Sequence, residues 1–380
     1  MKKYFILSGL TLRDNNRGTA ALGYGAFSFL LDKGFITKEQ EVLRFIPTRN
    51  IFRRDYVEEK NIQGKIWRFH NVYILNFEIL LAKHFEITIP HSKLWRFMRE
   101  VSLVASINGG DGFSDIYGTR LFHFRLTESH IAIAHNVPLL LLPQTIGPFS
   151  HADNYQLGKK ILQYADKVYV RDRKYTEELD KMGVKYEECK DLSAYMKPEE
   201  WNIDIQPGAI GINVSGLAYS NSFHTLAGQF DEYPNLINEL IKYFQEKGKP
   251  IYLIPHSYNY AQSEESNDDM EACRMAYERL DDKTNVTVVD YDMIAPQVKY
   301  VISKLSFFCG TRMHANFAAI YTNVPVFGLA YSYKFEGAFT SNGLDGEKQT
   351  AMINNITNED IAIIIKKVDV FYKNIFKDGN

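Results

Sequence analysis

Cysteine is scarce: Cys189, Cys273 and Cys309 are the only three in 380 residues, widely spaced and without a C-x-x-C pair. An odd, scattered set supports neither a disulfide framework nor a zinc ribbon, and it suits a reducing cytoplasm. An excess of either charge is also lacking, since 44 basic and 46 acidic side chains leave a formal charge of −2. No overall field exists to hold nucleic acid or an anionic membrane as the main partner, so an anionic ligand must be met by local basic groups. Long apolar runs are missing as well. The run Tyr4-Phe5-Ile6-Leu7 after Lys2-Lys3 stops at Ser8-Gly9, too short for a signal-peptide core, and no stretch of 18 apolar residues occurs. A soluble cytoplasmic chain is expected, with peripheral membrane association left open. The ten histidines form no H-x-x-x-H pair, and Asp268-Asp269 reads as a solvated helix start, so no metal is expected. There is no G-x-S-x-G, and Gly23-Tyr24-Gly25 lies inside a helical pattern, which argues against a serine hydrolase and a dinucleotide enzyme.

What is present is an ordinary globular composition, 45% hydrophobic and 24% charged, in a chain long enough for two domains of roughly 100–200 residues each. Short apolar runs alternate with amphipathic stretches, the pattern of βα units and a parallel sheet. Strands are predicted at 4–8, 103–108, 139–142 and 167–170, each followed by a loop rich in Gly, Asn, Pro or Arg. In open parallel sheets ligands bind beyond the carboxyl ends of the strands, so these four loops should share one crevice. The chain turns polar over 197–208, where Pro198, Trp201 and Pro207 break regular structure. The pattern then restarts with strands at 209–214, 251–254, 286–289, 305–309 and 326–329. The expected fold class is α/β, two doubly wound Rossmann-like domains facing across a cleft, the arrangement called GT-B. Residues 1–204 form the first domain, 205–345 the second and 346–380 a C-terminal helical segment. Residues 40–100 read as a helical insertion, whose Trp67, Phe69, Trp95 and Phe97 either simply pack or stack on a sugar.

The most informative stretch is Cys309-Gly310-Thr311-Arg312-Met313-His314-Ala315-Asn316, which passes from a buried strand through a short turn into a small-residue helix. Such a turn presents backbone N–H groups and the positive helix end to an anion, and Arg312 adds a two-pronged fork. His314 would stand beside the anion with a proton exchangeable near neutral pH. The plainer reading is a capping turn with an incidental Arg and His. Downstream, Pro325-Val326-Phe327-Gly328-Leu329-Ala330-Tyr331-Ser332-Tyr333-Lys334 runs from a strand into a polar loop, and Lys334 is either a second anion contact or a solvated lysine.

Taken together, Gly310-Thr311-Arg312-Met313-His314, Val324-Pro325-Val326 and Tyr331-Ser332-Tyr333-Lys334 resemble the signature of the polysaccharide pyruvyl transferase family. Asn108-Gly109-Gly110-Asp111-Gly112-Phe113, Pro143-Gln144-Thr145-Ile146-Gly147-Pro148, Val170-Arg171-Asp172-Arg173, Asp191-Leu192 and Gly211-Ile212-Asn213-Val214-Ser215 agree in order. The resemblance implies a GT-B-like fold, phosphoenolpyruvate as co-substrate with no separate cofactor, and a glycan or lipid-linked sugar acceptor that is ketalised. On that reading Arg312, Lys334 and Arg171 supply positive charge to the donor, and Asn213 and Ser215 add neutral hydrogen bonds. His314 is the general acid or the donor of the phosphate's proton. Asp172, with Asp111 and Asp191 as alternatives, is the carboxylate that takes the acceptor hydroxyl's proton. Asn16, Gly18, Thr19, Asp111 and Gln144 face the acceptor. Thr19 departs from the family pattern, which has an acid right after that glycine, and acceptor handling by that loop is the function it touches. Two rivals stay open: a GT-B glycosyltransferase using a nucleotide sugar, for which Glu336 is a weak ribose contact, and a glycan-binding relative without catalysis.

Overall fold

The computed structural model describes residues 2–377. It divides into two compact units, one of residues 1–12 and 22–196, the other of 13–21 and 197–380.

The first unit is built on eight strands: β1 (Tyr4–Ser8), β2 (Glu41–Thr48), β3 (Tyr56–Ile62), β4 (Lys65–Leu75), β5 (Val101–Ser106), β6 (Leu139–Gln144), β7 (Lys167–Val170) and β8 (Glu187–Glu188). Their order is β3-β4-β2-β1-β5-β6-β7-β8, and all pairings are parallel except β3 with β4. Helices α1 (Arg17–Asp32), α2 (Asn76–Phe85), α3 (Lys93–Arg99), α4 (Thr119–Arg125), α5 (Thr127–Ala134), α6 (Ala152–Tyr164) and α7 (Thr176–Met182) connect these strands. The run β4-β2-β1-β5-β6-β7 has the doubly wound order, with its reversal between β1 and β5. There the chain closes tightly: a Cβ on Gly9, which has φ +73°, would lie 3.2 Å from the Asn108 nitrogen.

Residues 40–100 correct the expected helical insertion. The segment holds more sheet than helix, in β2, β3 and β4, and the helical part is confined to α2 and α3. The reason is a period of two that the aromatic–basic crowding concealed: Trp67 and Phe69 are buried, whereas Ile66 and Arg68 are exposed. Trp67 packs edge-on to Phe5 and against Phe27, so it belongs to the core and offers no sugar platform.

In the second unit, β9 (Ile210–Asn213), β10 (Ile251–Leu253), β11 (Val286–Val288), β12 (Phe307–Gly310), β13 (Val326–Ala330) and β14 (Thr350–Met352) form an all-parallel sheet ordered β11-β10-β9-β12-β13-β14. This is again the doubly wound order, reversing between β9 and β12. The helices are α8 (Gly216–Ser220), α9 (Tyr233–Glu246), α10 (Asp269–Glu278), α11 (Ala295–Ser303), α12 (Met313–Ile320), α13 (Lys334–Ser341), α14 (Gly346–Gln349) and α15 (Asn358–Lys377). Strands buried on both faces read as continuous apolar runs, as Phe307-Phe308-Cys309 does. The last 30 described residues belong to this unit: β14 extends the sheet, and Ile361, Ile364, Val368 and Tyr372 of α15 enter the same core as Leu236, Leu240 and Phe244 of α9. Among the described residues, no helix is long and apolar enough to cross a membrane.

Candidate active site

The reversal between β9 and β12 places Asn213 at the end of one strand and Gly310-Thr311-Arg312 at the end of its neighbour. Asn213 is fully buried and clamps the turn: its Oδ1 accepts from the Arg312 backbone N–H at 2.8 Å, while its Nδ2 donates to the Ile254 carbonyl at 2.9 Å. Asn316 holds the turn from the other side, donating to the Gly310 and Arg312 carbonyls. Residue 310 must be glycine, because a Cβ would meet Asn316 Oδ1 at 2.2 Å. The first intrahelical bonds of α12 come from Ala315 and Asn316, both to the Arg312 carbonyl, so the amides ahead of them face out of the helix end.

Arg312 does not stand alone. Its Nε and Nη2 reach Asp269 Oδ1 at 3.0 and 2.6 Å, and Nη2 also donates to Asn267 Oδ1 at 2.7 Å. Burial pulls the guanidinium's pKa down, and Asp269 more than offsets this, so the group stays charged. Among the described residues Nη1 donates no hydrogen bond, which leaves one prong of the fork for a ligand. Asp269 itself is fully buried, and it further accepts from the backbone N–H groups of Gly216 (2.8 Å), Ser257 (2.9 Å) and His256 (3.0 Å). The expected solvated helix start is thereby corrected. Asp268 caps α10, accepting from Met270 and Glu271, and Asp269 turns inward because Arg312 and three backbone donors replace the water it gives up.

The loop after β1 groups with this second unit, and Arg17 is the reason. Its Nε donates to the Met293 carbonyl at 2.7 Å, its Nη1 to the carbonyls of Asp14 (2.8 Å), Asn15 and Tyr258 (both 3.0 Å), and its guanidinium lies 3.9 Å from the Tyr258 ring centroid. The Arg17 N–H also donates to the His256 carbonyl at 3.0 Å. So clasped, the loop puts Gly18 directly on His314: a Cβ at residue 18 would lie 2.5 Å from His314 Nδ1. His314 is thus wedged between the start of α1 and Phe317, whose ring it meets edge-on at 5.5 Å. Asn16, an expected acceptor contact, is exposed and caps α1, its Oδ1 accepting from the Gly18 N–H at 2.9 Å. Thr19 is half-buried on that first turn.

His256 lies buried in the same cluster, and its Nδ1 has no hydrogen-bond partner among the described residues. Burial, with His314, Arg17 and Arg312 nearby, holds its pKa well below the usual value, so it is neutral. Ser215 is fully buried, with its N–H donating to the Tyr233 hydroxyl at 3.0 Å. Lys334 stands exposed at the first position of α13, with its N–H on Ser332 Oγ at 3.2 Å.

The remaining expected residues gather in the first unit, at the ends of β5, β6 and β7. Arg171 donates from Nη1 to Asp191 Oδ2 at 2.8 Å and from Nε to Thr145 Oγ1 at 3.1 Å, and Thr145 in turn donates to Asp172 Oδ2 at 2.6 Å. Burial lowers the Arg171 pKa, and Asp191, Asp172 and Asp111 outweigh it to leave the net shift upward. Arg171 is thus held among carboxylates, as Arg312 is held on Asp269. The expected acceptor contact of Gln144 is corrected: it is fully buried, with its amide spent on the Ser106 and Leu142 carbonyls and on Asn108. Asp111 accepts from the Tyr117 hydroxyl at 3.1 Å; burial, then Asp111, pushes that phenol up to about 12. Asp191 is buried and holds Ser193, whereas the Asp172 side chain keeps 33% exposure, so Asp172 and Asp111 are the more open carboxylates.

Sequence reasoning missed Arg17, His256, Asp269 and Arg125. Arg17 carried a signal, since it sits in a strand-to-helix turn as Arg312 does. Arg125 lies over the Tyr117 ring, its Nη1 is buried without a hydrogen-bond partner among the described residues, and only a glycine at 112 admits it, a Cβ there falling 2.0 Å away.

Buried neutral histidines predict how stability responds to acid. Burial, then Lys83, lowers the His130 pKa to about 4, and His256 shifts the same way. Above the ordinary value near 6.5 neither state binds the proton. Below it the unfolded chain takes up a proton that the fold refuses, so stability falls as pH drops from about 6.5 to about 4, by up to about 1.4 kcal/mol per pH unit for each such group. Urea midpoints measured between pH 7.5 and 4.5 should decline accordingly, and His130→Gln should flatten the slope; an unchanged slope contradicts the assignment.

Comparison with known proteins first sets the class. The chain is similar to the UDP-GlcNAc 2-epimerase of Methanocaldococcus jannaschii, at 10% identity and TM-score 0.51, covering 97% of this chain and 92% of that one. It is equally similar to the Neisseria meningitidis UDP-GlcNAc 2-epimerase bound to UDP-GlcNAc, at 11% identity and TM-score 0.51, covering 98% and 93%. With the two doubly wound sheets, these likenesses establish a GT-B-like fold. No curated protein matches the sequence. The family model for polysaccharide pyruvyl transferase matches residues 16–333, and the chain belongs to that family.

Proposed function

We propose that the chain transfers the pyruvyl carbons of phosphoenolpyruvate to a sugar of a surface polysaccharide or its precursor as a cyclic ketal, releasing phosphate. Family membership supports the class of reaction. The observation that carries the reading is the second unit's cationic cluster, in which Asp269 pre-sets Arg312 at the end of α12 and Gly18 holds His314 beside it.

Phosphoenolpyruvate brings a carboxylate and a phosphate on one small enol, so it needs fixed positive charge and a proton source. In this mechanism the Nη1 prong of Arg312, the helix end and Lys334 receive the anionic oxygens. His314 protonates the methylene carbon as one acceptor hydroxyl forms a bond to the adjacent carbon. A general base takes that hydroxyl's proton. The bond from carbon to the phosphate oxygen breaks, the second hydroxyl closes the ketal, and its proton leaves with the phosphate. The two hydroxyl protons thus balance one new methyl C–H and one proton on phosphate. Fixed geometry contributes by making the attack effectively unimolecular. Asn213, Asn16 and Arg17 act as positioning residues.

The testing experiment is phosphate release with phosphoenolpyruvate and a panel of glycan acceptors, read beside carboxylate-bearing product by mass spectrometry. One phosphate per ketal is expected. Transfer of a sugar from a nucleotide sugar, without ketal, would make the chain a glycosyltransferase.

A further inference from the structure

Because β1, β2, β4, β5, β6 and β7 run parallel, their carboxyl ends lie on one edge of the first sheet, and one loop on that edge plays no part in the chemistry above. Between β2 and β3 the chain reads Arg49-Asn50-Ile51-Phe52-Arg53-Arg54, and every one of these residues is exposed. Phe52 is 84% exposed and Ile51 71%. The tip is ordered by its own bonds: the Asn50 N–H donates to Thr48 Oγ1 at 3.0 Å, and the Phe52 N–H to Asn50 Oδ1 at 2.8 Å. Two large apolar side chains are therefore held out in water, flanked by three arginines and no acid. The next acidic residue, Asp55, is tied to Lys93 at 2.6 Å and to the Tyr73 N–H at 2.9 Å. At the end of β4, beside β2, Phe77 continues the apolar edge at 51% exposed, while its neighbour Glu78 is buried on the Leu94 N–H.

We infer that this edge of the first unit docks on an anionic lipid bilayer, with Ile51 and Phe52 entering the interface and Arg49, Arg53 and Arg54 meeting the headgroups. A near-neutral chain has no global attraction to such a surface, and the local patch supplies it. An apolar tip alone binds a membrane weakly, and a basic cluster alone is salt-sensitive, but the two signals together give stable anchoring. Phenylalanine and isoleucine left exposed at a fixed tip mark an interaction surface. A second copy of the chain is the poorer occupant, because a two-fold contact through this loop would set three arginines against three. Neighbouring strands lie about 4.8 Å apart, and β2 and β5 are separated only by β1, so the strand end from which the docked loop leaves stands about 10 Å from the end of β5, whose following loop carries Asp111. A lipid-carried acceptor would then meet the first unit's carboxylates at the membrane surface. That consequence rests on the pyruvyl-transfer reading, whereas bilayer binding does not.

The test is flotation of the full chain with vesicles of phosphatidylglycerol and phosphatidylcholine, against phosphatidylcholine alone, at low and high salt. Binding to the mixed vesicles only, weakened by salt, is expected. Ile51→Ser with Phe52→Ser should lower partition at least about tenfold. Arg53→Glu with Arg54→Glu should abolish it, each basic residue near the surface contributing about fivefold. Both double variants should keep the wild-type thermal midpoint and the wild-type rate on a soluble acceptor. Absence of flotation, or variants that float as wild type does, overturns the inference. So does a dimer in lipid-free solution that Ile51→Ser with Phe52→Ser dissociates, since that assigns the face to a second copy. Intact flotation without any pyruvyl transfer would sink the functional reading and leave the docking surface standing.

Discussion

His314→Gln should reduce turnover with phosphoenolpyruvate and a glycan acceptor by about 10²–10⁴-fold, the usual contribution of a positioned general acid. Glutamine fills much of the imidazole's space against Gly18 and Phe317, so the cluster around it should persist. What it cannot do is deliver a proton to the methylene carbon. The loss should therefore fall on kcat, with KM for phosphoenolpyruvate changed by only a few-fold, because the proposed mechanism assigns the anionic oxygens to Arg312, Lys334 and the helix end. An unchanged urea midpoint would show that the fold survives. A variant with near-wild-type kcat would mean that the proton comes from elsewhere, and His256 is too deeply buried and too firmly neutral to be the first substitute.

Asp269→Asn should lower stability by about 3–5 kcal/mol, the cost of stripping a buried charge of its partner. The carboxylate accepts from Arg312 Nε and Nη2 and from the backbone N–H groups of Gly216, His256 and Ser257. An asparagine turns one of those acceptors into a donor aimed at donors, and it leaves the Arg312 charge uncompensated. For a unit of this size the thermal midpoint should fall by roughly 10 °C. Arg312→Met combined with Asp269→Asn should cost less than the two single losses added, because the pair is one interaction. Donor affinity should fall with Asp269→Asn even where the protein remains folded, since the fork that faces the ligand is aimed by this carboxylate. A midpoint within about 2 °C of wild type would contradict the central role given to Asp269.

How far the sequence could be read follows from which interactions are local. The second unit was legible almost strand by strand, because fully buried parallel strands announce themselves as short apolar runs closed by Gly, Asn or Pro. The strand–turn–helix at Gly310–His314 was legible for the same reason. Residues 41–75 were not, since Trp67-Arg68-Phe69-His70 carries both an aromatic cluster and a period of two, and only the alternation decides. Asp269 was hidden by long-range chemistry: beside Asp268 it looks like one more acid in a first helical turn, and its partners lie 43 residues away at Arg312 and at the backbone of Gly216, His256 and Ser257. Gln144 and Arg171 stand in strand-end loops where ligand contacts are common, yet Gln144 is buried and bonded throughout by its neighbours, and Arg171 is tied to Thr145 and Asp191. Position at a strand end marks candidates, and burial with every polar atom bonded, as at Gln144, removes one from the set. Arg17 illustrates the converse, for its guanidinium is spent on carbonyls and its effect on His314 passes through the loop it fastens.

The most direct test of the donor assignment is equilibrium binding by the purified chain, followed as a dose-dependent rise in thermal midpoint and by calorimetry, with phosphoenolpyruvate, inorganic phosphate and UDP-GlcNAc compared. A ligand that binds only the folded state raises apparent stability in proportion to its occupancy. Phosphoenolpyruvate should stabilise the wild type more than phosphate does, Lys334→Ala should weaken that gain, and UDP-GlcNAc should leave the midpoint where it was. Stabilisation by UDP-GlcNAc with none by phosphoenolpyruvate would contradict the assignment and make the second unit a nucleotide-sugar site.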